Sequence, residues 1–229
     1  MDQETKKAES LIAQGRVRTN ILHNIEQKSI AYLVQKIPAW MSSDMLTAIG
    51  FVGSIIVFLS FVLGAFISRY FLLLGILGFM VSWFGDSLDG RIAYYRNKPR
   101  KWYGFSLDIT VDWLGIILMG GGFIVYAPSY WKIIGFLFVV LYGWEMLTAL
   151  LRYKVTEQYS IDSGSFGPTE VRILISFMLI LEVIVKDSIL YTSSFACLIL
   201  LIMNFLETGK ILKFADERDK KEKEGKISK

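Results

Sequence analysis

The sequence predicts an all-α membrane protein, a polytopic bundle of six transmembrane helices preceded by an N-terminal amphipathic helix in the membrane interface. Three observations predict it. Of 229 residues, 53% are apolar, and the mean hydropathy of +0.45 exceeds that of ordinary soluble domains. The apolar residues fall into six runs, about 45–67, 71–94, 105–126, 130–151, 169–186 and 188–209. Each run is close to the roughly 20 residues that cross about 30 Å of hydrocarbon. Basic residues, finally, concentrate in alternate connections.

In chain order, residues 1–16 read as a flexible, charged start. They lack an apolar core and a small-residue cleavage site, so no signal peptide is expected. Residues 17–44 hold the interfacial helix. Ile21, Leu22, Ile25, Ile30, Leu33, Val34 and Ile37 recur there at helical spacing, among Asn24, Glu26, Gln27, Lys28 and Gln35. The competing reading is a helix packed on the bundle at its cytoplasmic end. Pro38 ends this helix, and Ser42, Ser43 or Asp44 can cap the first span. The spans form one domain over 45–213. Within it Gly120, Gly121 and Gly122 lack the strand context of a phosphate loop and read as helix-packing sites. The connection EQYSIDSGSFGPTE reads as a loop; Pro168 suits the first turn of span five, with Glu170 beside its positive end. The charge run at 214–229 is expected to be disordered. Cys197 and His23 are the only cysteine and histidine. That excludes an intrachain disulfide, a cysteine-ligated zinc cluster and a histidine-based triad; Cys197 is expected to pack.

Orientation follows from the cations. With the N-terminus in the cytoplasm, the inner segments carry Lys6, Lys7, Arg16, Arg18, Lys28 and Lys36, then Arg96, Lys98, Arg100 and Lys101, then Arg152, Lys154 and Arg172, with eight more from Lys210 onward. The outside keeps Arg69, Lys132 and Lys186. Both termini are therefore expected in the cytoplasm, at the plasma membrane in a bacterium. The net charge of +4 reads as orientation and anionic-lipid contact, not nucleic-acid binding.

Four acids interrupt spans two and three: Asp86, Asp89, Asp108 and Asp112. An aspartate at the centre of a lipid-facing helix costs about 2.5–3.5 kcal/mol on insertion scales, so these four face a wet cavity. Asp86 and Asp89 lie three apart and Asp108 and Asp112 four apart, so each pair shares a helix face. The short loop 96–103 makes the two helices antiparallel neighbours, and the four carboxylates can meet at one depth. Carboxylates so close cannot all stay ionised without cations. Hard oxygen ligands suit Mg²⁺, Mn²⁺ or Ca²⁺, and two divalent ions about 3.5–4 Å apart clamp in-line displacement at phosphorus. The competing reading, a structural ion pair with Arg91 or Arg96, accounts for one acid rather than four. Gly90 and Gly104, without side chains, let a nucleotide or phosphate approach the backbone. Arg91 and Arg96 are the cations nearest to it and the expected phosphate binders.

The stretch from Asp86 to Asp112 resembles the signature of the CDP-alcohol phosphotransferase (CDP-alcohol phosphatidyltransferase) family, D-x2-D-G-x2-A-R followed by G-x3-D-x3-D. Asp86, Asp89, Gly90, Ala93, Gly104, Asp108 and Asp112 match in type and spacing; Tyr94 replaces the motif arginine. The resemblance implies an integral-membrane phospholipid-synthesis enzyme. It would transfer a substituted phosphate group, the phosphatidyl of CDP-diacylglycerol, to a polar alcohol and release CMP. It implies Asp86, Asp89 and Asp108 as ligands of Mg²⁺ or Mn²⁺, with Asp112 as general base that also touches a metal. Gly90, Ala93 and Gly104, with Arg91 and Arg96, would line the nucleotide site. The expected partners are a CDP-linked lipid donor, an alcohol acceptor and membrane lipids, in a chain for which a homodimer is an open assembly.

The acceptor is expected near Arg152, Glu170 and Arg172 at the inner ends of spans four and five. Cations there suit a phosphorylated polyol, whereas Glu170 suits a cationic amino-alcohol; the plainer reading makes the bases topology markers and Glu170 a helix cap. The runner-up enzyme takes a CDP-amino-alcohol donor and a diacylglycerol acceptor. A divalent-cation carrier would need polar residues through the outer halves of the spans, and stretches such as IIVFLSFVLGAF carry no acids. A catalytically degenerate member would have little reason to keep four costly aspartates.

Overall fold

Helical periodicity and the absence of strand-like alternation lead to an all-helical chain. The computed structural model describes residues 22–156 and 167–227, which form seven α-helices and no strand. They are α1 (His23–Lys36), α2 (Ser43–Phe66), α3 (Leu74–Tyr95), α4 (Lys101–Tyr126), α5 (Lys132–Thr156), α6 (Pro168–Ile184) and α7 (Ser188–Ile227). Short 3₁₀ turns, Arg69–Leu73 and Ser129–Trp131, lead into α3 and α5. The expected flexible start at 1–16 and most of the loop after α5 lie outside the described residues.

Among the described residues, five helical stretches are long and apolar enough to cross a membrane: Ser43–Phe66, Arg69–Tyr95, Lys101–Tyr126, Ser129–Thr156 and Ser188–Glu224. The remaining expected span, the fifth at 169–186, is the 17-residue α6, about 25 Å of helix rise and at the lower limit for a crossing. Val185, in an extended conformation, ends it. The outward faces are apolar, as a lipid-facing bundle requires, with Phe66, Met80, Phe136, Phe177 and Phe195 all more than half exposed.

Helix α2 is the hub and packs on α3 and α4, while α5 packs on α4 and α7. The α2–α3 contact is made by small residues. A Cβ at Gly53 would come within 2.3 Å of the Ser82 amide nitrogen, and one at Gly85 within 2.2 Å of that of Gly50. The same device joins α4 to α5, where a Cβ at Gly120 would lie 2.9 Å from the Gly135 carbonyl oxygen and 2.3 Å from Val139. Gly120 and Gly122 thus pack helices as expected; Gly121 has only Phe58, at 4.0 Å. Cys197 is a buried free thiol, in line with a packing role.

Two apolar clusters bracket the middle of the bundle. One, with Val57, Phe61, Leu72, Phe79, Phe123, Leu179 and Ile189, fills the end where α6 turns into α7. The other, at the end where α3 turns into α4, joins Ile30, Ala31 and Val34 of α1 to Leu46, Leu88 and Ile92. Helix α1 therefore buries part of its apolar face on the bundle. Ile25 and Tyr32 remain exposed, at 68% and 58%, and form the surface that could meet a membrane interface.

The charged tail differs from its expected disorder. α7 continues through it to Ile227, with i,i+4 ion pairs Lys220–Asp216 at 2.6 Å and Arg218–Glu222 at 3.1 Å. Arg218 also donates to the carbonyls of Lys154 and Val155, at 3.2 and 2.6 Å, and so caps the end of α5. Extending an already packed helix carries no nucleation cost, which lets such weak pairs hold the tail helical.

The glycine contacts make a direct prediction. Gly85→Ala should lower stability by about 1–3 kcal/mol or more, because the clash is with backbone and no side chain can yield. Gly121→Ala should be near neutral. Unfolding midpoints of the detergent-solubilised chain check this, and equal midpoints for the two variants would contradict the close α2–α3 contact.

Candidate functional site

The site sits between the two apolar clusters, where α3 and α4 run antiparallel out of a short turn. Helix α3 ends at Tyr95, Asn97 takes a left-handed conformation with φ 57°, and α4 starts at Lys101. A turn this tight holds the helices side by side. The aspartate pairs of the two helices then face one another, as the spacing predicted.

Asp86, Asp108 and Asp112 each bring a carboxylate oxygen within 4.8 Å of the others. Asp89 lies on the wall of the same small cavity, with Thr47, Gly50, Ser54 and Ser82. It is almost fully buried, at 5% exposure, and its orientation is set from two sides. Thr47 Oγ1 donates to Asp89 Oδ2 at 2.7 Å, and the Gly90 amide donates to Oδ1. Ser43 Oγ donates to the Asp89 carbonyl oxygen at 2.8 Å. The first turns of α2 therefore position an acid of α3. By sequence Ser43 is only a candidate cap and Thr47 carries no mark of this role, because a hydroxyl every fourth residue in a first turn is a weak signal by itself.

A guanidinium from α6 enters the cluster. Arg172 Nη2 donates to Asp86 Oδ2 at 2.6 Å. Arg96, one of the two expected ion-pair partners for an acid, is instead directed elsewhere. Arg91 is 3% exposed and lies on neither cavity wall. Arg96 donates to the carbonyls of Met41, Ile37 and Pro38, at 2.5, 3.2 and 2.8 Å, and so holds the link between α1 and α2. Both were expected as phosphate binders; the structure gives Arg96 a clamp role because the link from Ile37 to Met41 leaves carbonyls that no helix satisfies.

The acid cavity adjoins a larger cleft of about 120 Å³ that shares Thr47, Asp89 and Asp108 with it. Gly90, Ala93 and Gly104 are on this wall, and so are Tyr94, Arg100, Lys101, Trp102 and Tyr153. A Cβ at Gly104 would meet no described atom within 4 Å, so helix packing does not explain that glycine.

Of the expected acceptor residues, only Arg172 reaches the cluster. Arg152 pairs with Glu207 of α7 at 2.6 Å. Glu170 accepts from the Gly167 amide and from the Leu22 amide, each at 3.0 Å. It is a helix cap and a clasp for the start of α1, the plainer of the two expectations.

A further buried acid, Glu182 of α6, stands apart from all this and was not singled out in the sequence. It is fully buried and accepts from Tyr126 Oη at 2.6 Å, the amides of Asp187 and Ile189 at 3.1 and 2.9 Å, and Ser188 Oγ at 3.3 Å. Those donors make it a structural lock at the opposite end of the bundle.

Three convergent carboxylates beside a fourth, with no cysteine or histidine among them, form a hard-oxygen set that fits Mg²⁺ or Mn²⁺. Asp108→Asn should therefore weaken Mn²⁺ binding more than about tenfold, and Thr47→Val by a smaller factor through Asp89. Calorimetric Mn²⁺ titration of the purified chain reads both, and unchanged affinity in Asp108→Asn would rule out the cluster as the metal site.

The family model for CDP-alcohol phosphatidyltransferase matches residues 40–206, well over half of the chain. No curated protein matches the sequence.

Proposed function

The chain belongs to the CDP-alcohol phosphatidyltransferase family, and from that premise we propose that it transfers the phosphatidyl group of CDP-diacylglycerol to a polar alcohol at the inner face of the membrane, releasing CMP. The observation that carries this reading is the meeting of Asp86, Asp108 and Asp112 within 4.8 Å, at the foot of a cleft walled by Gly90, Ala93 and Gly104. The interrupted apolar helices supply the membrane setting, and the positive-inside bias supports termini in the cytoplasm.

Asp86, Asp89 and Asp108 would hold divalent Mg²⁺ or Mn²⁺, with Asp112 alongside. Bound there, the metal supplies charge neutralisation at a diphosphate. Asp112 accepts the proton of the alcohol hydroxyl as its oxygen bonds to the phosphatidyl phosphorus. The bond from that phosphorus to the bridging oxygen breaks, and CMP leaves with the bond's electron pair. The proton departs from Asp112 to water through the cleft. Gly90 and Gly104 let the nucleotide lie against the backbone, and burial among α2, α3 and α4 keeps bulk water from competing as acceptor.

The acceptor side favours an anionic alcohol. Arg152 and Glu170 are engaged with Glu207 and with backbone amides, whereas Arg172 stands at the acid cluster. A guanidinium at that point suits the phosphate of a phosphorylated polyol such as glycerol phosphate or inositol phosphate. The carboxylate that would have held an amino-alcohol is committed to capping.

Two measurements test the reading. Purified chain given CDP-diacylglycerol and Mg²⁺ or Mn²⁺ should release CMP when a phosphorylated polyol is added; silence across a broad alcohol panel, with CDP-amino-alcohol donors included, would refute it. Asp112→Asn should lower turnover by about 10²–10⁴-fold while sparing donor binding, and a variant that turns over like wild type would remove Asp112 as the base.

A further inference from the structure

We propose that Arg100 is the residue that grips the cytidine nucleotide of the donor at the mouth of the cleft, with Asp44 as its positioning partner. This rests on the transferase reading above and adds a specificity-determining residue to it.

The turn between α3 and α4 carries a run of cations, among which the sequence favours Arg96. The structure sorts them. Arg96 is used up on three backbone carbonyls, and Arg91 and Lys98 lie off the cleft wall. Arg100 and Lys101 remain on it. Position 94, where the motif has arginine, is a tyrosine on the same wall. A guanidinium at this mouth therefore comes from the turn and not from α3.

Arg100 is held in a defined place. Its Nη2 donates to Asp44 Oδ1, from the first turn of α2, and its guanidinium lies over the Tyr103 ring at 4.3 Å. Asp44 and Arg100 both line the cleft, so the pair joins α2 to the α3–α4 turn across its mouth. Their side chains are 42% and 51% exposed, and an ion pair that wet contributes little to stability. Holding the fold together is therefore a poor account of it. A guanidinium has five N–H donors in a planar fork, so with Arg100 held by Asp44 and over the Tyr103 ring, donors beyond the one given to Asp44 can meet nucleotide oxygens. Lys101, beside Trp102 at 5.2 Å, offers only a compact point charge. The cleft is thus acidic at its foot, where divalent cations would offset a diphosphate, and basic at its mouth, where a guanidinium can meet nucleotide oxygens.

The test is calorimetric binding of CDP, in the presence of Mn²⁺, to the full detergent-purified chain, alongside donor and acceptor KM. Arg100→Gln should weaken CDP binding about tenfold or more and raise the donor KM in step, with the acceptor KM unchanged. Arg100→Lys should lose less, and Lys101→Gln no more than about threefold. Asp44→Asn should cost a few-fold, restored by Asp44→Glu, with the thermal midpoint little changed. CDP binding by Arg100→Gln at wild-type strength would overturn the proposal, as would an equal loss in Lys101→Gln. If the wild-type chain itself does not bind CDP, the transferase reading falls, and this inference with it.

Discussion

Everything at the site depends on how closely α2 approaches α3. Lipid offers helices little hydrophobic reason to associate, so packing and interhelical hydrogen bonds must hold them together. Gly50, Gly53, Gly78 and Gly85 allow backbone to meet backbone; at Gly78 a Cβ would be 2.8 Å from the Gly53 carbonyl oxygen. That proximity lets Thr47 reach Asp89 and Ser43 reach its carbonyl. A bulkier contact would move α2 outward and open the wall that separates four acids from hydrocarbon.

Two kinds of acid lie within the bundle, and their surroundings tell them apart. Glu182 is surrounded by donors from its own neighbourhood, two of them amides at the start of α7, where a carboxylate also complements the helix dipole. Nothing about it calls for a ligand. The aspartates of α3 and α4 crowd oxygen against oxygen, with Arg172 offsetting Asp86. Crowded carboxylates around a cavity are stabilised by a cation, and this is why they read as chemistry and Glu182 as architecture.

The ends of the chain support the site without entering it. Helix α1 packs Ile30 and Val34 against Leu88 and Ile92 of α3, and its exit is tied down by Arg96. At the other terminus, Arg218 caps the last carbonyls of α5 beside Tyr153, a residue of the cleft wall. The tail helix therefore braces one side of the cleft, a consequence of continuing α7 beyond the apolar run.

The sequence by itself determined the all-helical membrane bundle, the two aspartate pairs and their shared faces, the short turn that opposes them, and the packing role of Gly120 and Gly122. These are legible because hydropathy and the 3.6-residue period act along a single helix. Only the tertiary structure decided which cation meets which acid or carbonyl: Arg172 with Asp86, Arg96 with the link after α1, and Arg100 with Asp44. It also decided that Glu170 is a clasp, that α6 stops at 17 residues and that the tail stays helical. Side chains many positions apart are brought together by the crossing of helices, and that crossing is set by interlocking surfaces on two segments at once. No local pattern in either segment states it.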